Sequence, residues 1–160
     1  MHDTMRKILW WLCLLAAPLV LVILELFHPA NFTGPPAPGM YQYLSKPQPY
    51  NHEYHALAYW GPNWWFTLHM IQTPMVALVA IGLWILASLA DRGAMSAVVL
   101  AWPSRVSTFV FLIYYTALDS IGGSGLGRAI INTETLRSNG ELTPDQWNGV
   151  VLVLDWRLHC

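Results

Sequence analysis

Long apolar runs alternate along the chain with short polar or proline-rich connections. Residues 8–27 (ILWWLCLLAAPLVLVILELF) contain one charge, Glu25, and residues 64–90 contain His69 as their only titratable group. A third run begins at Val106 and passes Asp119. About 20 predominantly apolar residues are enough for a helix to cross the hydrocarbon core of a bilayer. The pattern therefore predicts three transmembrane helices, over residues 8–27, 64–90 and 106–130. Pro18 and Pro74 lie inside the first two, and each is expected to kink its helix by removing a backbone donor.

The connections differ in character. Residues 28–63 open with HPANFTGPPAPG, where prolines and glycines forbid a continuous helix. Residues 51–66 (NHEYHALAYWGPNWWF) then resemble an aromatic belt at the headgroup level. A short interfacial helix is expected over residues 52–60, broken by Gly61 and Pro62, with Asn63 as N-cap of the second span. Residues 93–104 (GAMSAVVLAWPS) are too apolar for a solvated loop and too short to span, so they are expected to rest against one membrane face. After a polar stretch over residues 132–145, the final run, residues 147–160, is too short to cross as a helix. It is either an interfacial segment or part of a fourth span of a longer protein, and of the two the truncated span is preferred.

Composition supports one integral membrane domain over residues 1–160, with 55% hydrophobic and only 11% charged residues. A net charge of −1 provides no basic face, which removes nucleic acid as a partner. MHDTMRK followed by an apolar run resembles a secretory signal, but the run is long and no small-x-small cleavage site precedes His28 and Pro29, so a retained span is expected. Arg6, Lys7, Arg92 and Arg105 flank the spans on one side, whereas residues 28–63 hold only Lys46. The positive-inside rule then places the N-terminus in the cytoplasm and the long loop outside the cell membrane, with Arg128 and Arg137 opposing the bias. Cys13 and Cys160 are expected to be free thiols.

Ionisable residues inside spans are costly and point to function. Glu25 and His28 end the first span, His69 lies about 7 to 8 Å into the second, and Asp119 lies near the end of the third. Three helices could thus present carboxylate, imidazole and carboxylate at one level, with Gln72 one turn beyond His69 extending the patch. Each also has a plain structural role open to it: Glu25 and His28 as headgroup contacts, His69 as a packing residue, Asp119 as a paired carboxylate. His52, Glu53 and His55 fall one residue short of the His-Glu-x-x-His pattern, which leaves His52 and His55 as a weak metal pair and gives no protease. His28 and His69, on different spans, meet the minimum for axial ligation of haem b. GGSGLG has neither a preceding strand nor a following lysine, so it is not a phosphate loop. Its small residues suit helix packing instead, with Ser120, Gly123 (or Ser124) and Gly127 at helical spacing. No Ser-His-Asp order, P-loop or CxxC pair occurs.

The segments LFHP, WWFTLH and YYTALDSIGG resemble small multi-pass bacterial integral membrane proteins of unassigned function, over most of the chain up to Arg128. The resemblance implies a compact helical bundle and transfers no catalytic residue. The expectation is an all-α membrane helical bundle of three transmembrane helices with a partial fourth and an aromatic-rich outer loop. Its expected role is non-enzymatic: an outer-leaflet polar cluster that stabilises the bundle or binds a partner or small ligand. Besides the lipid bilayer, other membrane subunits or a second copy are the expected partners, through the Ser120–Gly127 face. The alternative is a haem- or metal-binding redox subunit with His28 and His69 as ligands and Glu25 or Asp119 carrying protons. Transport is disfavoured, because residues 76–86 are uniformly apolar.

Overall fold

The computed structural model describes residues 2–28, 40–47, 57–89 and 95–156, and among these the chain is helical with no β-strand. Three helical stretches are long and apolar enough to cross a membrane: Thr4–Glu25, Pro62–Leu89 and Met95–Ser138. Only 17%, 22% and 17% of their most apolar windows are buried within the protein. Most of that apolar surface faces outwards, which is compatible with lipid and unfavourable in water.

The first stretch comprises α1 (His2–Trp11), a wide π turn (Leu12–Ala16) and α2 (Ala17–Glu25). The Ala17 N–H bonds to the Leu12 carbonyl, five residues back. Pro18 follows at once, without a donor and with a ring that would press on the carbonyl four residues earlier; a widened turn relieves that clash. After the short α3 (Met40–Leu44), α4 (Pro62–Leu89) carries Pro74 within a continuous helix. Its start differs from the expected Asn63 cap. Gly61 adopts φ +96°, and its carbonyl accepts the N–H groups of Trp64 and Trp65 at 3.0 and 3.2 Å. Proline's fixed φ and missing donor suit the first helical position, so the helix begins at Pro62.

The third stretch also starts earlier than the apolar pattern indicated. α5 (Met95–Leu118) takes in most of the segment expected to rest on a membrane face, because its Met, Ala and Leu residues favour helix. Arg105, expected beside a connection, therefore lies within α5. A π segment (Asp119–Gly125) leads into α6 (Leu126–Ser138). The full 44 residues of this stretch measure about 66 Å at the helical rise, more than twice a hydrocarbon core of about 30 Å.

The chain forms two compact units. One comprises residues 1–24 and 70–119. In it Gly82 permits close approach to the first helix, since a Cβ there would stand 2.8 Å from Leu14 Cδ2 and 3.0 Å from Cys13 Cβ. Arg105 is buried and donates to the Ala87 carbonyl at 3.3 Å, in the last turn of α4, and its guanidinium lies over the Trp84 and Trp102 rings. Cations are favoured at that end of a helix, where carbonyls lack intrahelical partners.

The other unit comprises residues 25–69 and 120–160. Its core is Tyr41, Tyr43, Leu44, Tyr59, Trp65 and Ile130, with Trp64, Leu126, Trp147, Val151 and Leu154 packed against it. Tyr43 and Tyr59 stack at 5.5 Å, and the Tyr59 hydroxyl donates to the Leu44 carbonyl at 2.7 Å. α6 closes at Gly140, φ +72°, whose N–H reaches Arg137 while that of Glu141 reaches Leu136; this double bond pattern is a Schellman motif. Thr143 and Gln146 then form a reciprocal capping box at the start of α7 (Pro144–Trp156). The terminal apolar run is thus helical as far as Trp156, with Trp147, Val151 and Leu154 turned to the core and Leu152 and Val153 exposed.

Candidate functional site

The opening of α4 fixes the geometry of the site. Once Gly61 and Pro62 set the helix start, Trp65 and His69 fall four residues apart on one face. His69 is 5% exposed, and its Nδ1 lies 2.7 Å from the Trp65 carbonyl. A carbonyl oxygen only accepts, so Nδ1 carries the proton and the lone pair of the neutral ring sits on Nε2.

His28 supplies the opposing group. α2 ends at Glu25, whose carbonyl accepts the His28 N–H at 3.2 Å, and the turn directs the half-buried imidazole towards α4. His28 Nε2 stands 3.3 Å from His69 Nε2, with the rings inclined at 69°. Trp65 packs against both, its ring centroid 5.0 Å from that of His28 and 4.4 Å from that of His69.

The π segment closes the third side. Trp65 Nε1 donates to the Gly123 carbonyl at 3.0 Å and lies 3.3 Å from that of Gly122. Wide turns displace carbonyls from regular helical bonding, and here an indole N–H meets them. A Cβ at Gly123 would overlap the His69 ring, and one at Gly127 would stand 3.0 Å from Trp65 Cδ1 and 3.1 Å from Phe66 Cα. Gly123 and Gly127 are therefore buried against α4, whereas Ser120 is exposed. Phe27, Trp60 and Trp64 form an aromatic group, with Phe27 and Trp60 stacked at 5.3 Å and Trp60 and Trp64 edge to face at 4.6 Å.

The remaining predicted residues are placed differently. Glu25 is exposed. Gln72 and Asp119 belong to the first compact unit; both are buried, and the Thr73 hydroxyl donates to Asp119 Oδ2. The five candidates thus form two groups, Glu25, His28 and His69 in one unit and Gln72 and Asp119 in the other. His52 and His55 lie outside the described residues. Among the described residues no three His, Cys, Asp or Glu side chains come together as a metal site.

Two partners escaped the reading of the sequence. Trp65, with Phe27, Trp64 and Phe66, suits a flat macrocycle beside the two histidines and the lipid interface equally by residue type, and its four-residue spacing from His69 was the signal for direct packing. Thr73 had no signal beyond being four residues after His69, because its partner Asp119 is remote in the chain.

Haem b fits this arrangement poorly. Two axial imidazoles stand on opposite faces of a macrocycle, with nitrogens about 4 Å apart. Here the nitrogens are at 3.3 Å, closer than that, and Trp65 packs on both rings. Comparison with protein-family models, with curated proteins and with solved structures gave no match.

Proposed function

We propose that this chain is a small polytopic protein of the cell membrane, non-enzymatic, with a cytoplasmic N-terminus and an outer-leaflet site at His28 and His69 that takes a small ligand. The observation that carries this reading is the convergence of the two imidazole nitrogens at 3.3 Å beside a buried indole. A pair serving only as packing would be satisfied by apolar side chains at lower desolvation cost. Arg6 and Lys7, in the opening turns of α1, support the orientation, and the three apolar helices support the location.

The test is thermal stability of untagged protein extracted from membranes in mild detergent, as isolated and after removal of small ligands by chelation and mild acid. A ligand held by the native state alone raises its melting temperature. Stripping is expected to lower the melting temperature of the wild-type protein, readdition of the stripped fraction to restore it, and His69→Gln to abolish the difference. If neither stripping nor readdition changes the wild-type melting temperature while His69→Gln lowers it, the pair is structural and the ligand reading fails.

A further inference from the structure

The ligand class follows from the spacing and tautomer of the two rings, and the inference rests on the ligand-site reading above. We propose that His28 and His69 occupy two corners of a tetrahedral site for a divalent transition-metal ion of the zinc class.

Distance separates the competing arrangements. Zinc–nitrogen bonds of about 2.0 to 2.1 Å put two corners of a tetrahedron about 3.3 to 3.4 Å apart. Ligands in line across an ion would stand about 4 Å apart at the same bond length, and a direct hydrogen bond from an N–H is ordinarily about 2.7 to 3.2 Å. The observed Nε2 to Nε2 separation is 3.3 Å. It matches the tetrahedral edge and is short for linear coordination, and in the metal-free protein the same separation is a long hydrogen bond between the two rings.

Protonation and support agree with that assignment. His69 Nδ1 donates to the Trp65 carbonyl, which leaves Nε2 as the unprotonated nitrogen, 3.3 Å from His28 Nε2. A ligating histidine ordinarily anchors its other nitrogen in this way. The anchor is itself held, because the Trp65 indole bonds to the Gly123 carbonyl and the glycine leaves room for the imidazole. Borderline ions accept imidazole readily, whereas calcium and magnesium favour oxygen donors. Among the described residues these two imidazoles are the donors that converge, and they take two of the four corners.

The experiment uses the full-length, untagged, stripped protein in detergent and cobalt(II) as the probe. Four-coordinate cobalt absorbs far more strongly in the visible than six-coordinate cobalt. The expected result is an intense four-coordinate spectrum that saturates at one ion per chain and is displaced by zinc, with affinity at least tenfold weaker in His28→Gln and His69→Gln. Zinc should also protect His28 and His69 of the wild-type protein from carbethoxylation, read by peptide mass spectrometry, so the proposal remains testable even if the variants do not fold. A pale six-coordinate spectrum, unchanged affinity in both folded variants, or absence of protection overturns it. If the melting shift on stripping persists while cobalt and zinc are without effect, the ligand is not a metal and the ligand-site reading survives alone.

Discussion

At Gly123 the missing side chain is a steric requirement, because any Cβ would enter the space of the His69 ring. Gly123→Ala is expected to cost about 1–3 kcal/mol, in the range of overpacked interiors, and to lower the melting temperature in detergent. Gly122→Ala is the matched control: its added methyl meets nothing within 4 Å, and the change should stay within about 1 kcal/mol. Equal losses in both variants would refute the packing role assigned to Gly123. Tyr59 makes a second residue-scale prediction. Burial pushes its phenol well above the ordinary tyrosine value, with Tyr43 contributing less, and Tyr41 is raised by burial and then by the carboxylate of Glu134. The native state therefore holds protons that the unfolded chain releases above pH about 10, so stability is retained below that pH and falls as pH rises beyond it. Melting temperatures measured up the alkaline limb should decline less steeply in Tyr59→Phe than in the wild type.

At the scale of elements, termini matter more than interiors. The sequence T-P-D-Q at residues 143–146 is a capping box with proline in the first helical position, and Gly140 ends the preceding helix. Thr143→Ala should destabilise α7 by about 1 kcal/mol, seen as faster amide exchange over residues 144–150 than elsewhere. Arg105 acts at the far end of α4, where it meets the Ala87 carbonyl and two indole faces. Arg105→Ala is expected to cost about 1–2 kcal/mol by removing a cation from a helix C-terminus and its contact with the rings. Arg105→Lys should recover only part, because an ammonium cannot stack on the rings as a planar guanidinium does. Full recovery by lysine would show that charge alone matters there.

For the whole molecule, the outward apolar surface of the three long helices predicts that the chain stays with membranes through alkaline carbonate extraction. Release into the supernatant would contradict the membrane reading directly. Ser120 and Ile121 in the π segment are exposed while Gly123 is buried against His69, so the helix face that holds the glycine is already engaged with α4. Association with further subunits, if it uses this region, has to employ the exposed side of the π segment.

Hydropathy was sufficient for fold class, because a bilayer-length apolar run has few alternatives to helix and the three long runs are all helical. Local chemistry at the helix ends was equally legible in Gly61-Pro62 and in T-P-D-Q, although the expected cap at Asn63 falls two residues after the observed one at Gly61 and T-P-D-Q lies within a stretch read only as polar. What the pattern could not carry was rotation about each helix axis. His28 and His69 are 41 residues apart, and nothing in either run states that their Nε2 atoms meet. Nor does hydropathy distinguish Trp65, buried beside them, from Trp60, exposed nearby. The sequence by itself determined which segments are apolar helices and which residues are costly to enclose there. Only the tertiary structure decided which of those residues share a site, because that depends on how small residues such as Gly123 let one helix settle against another.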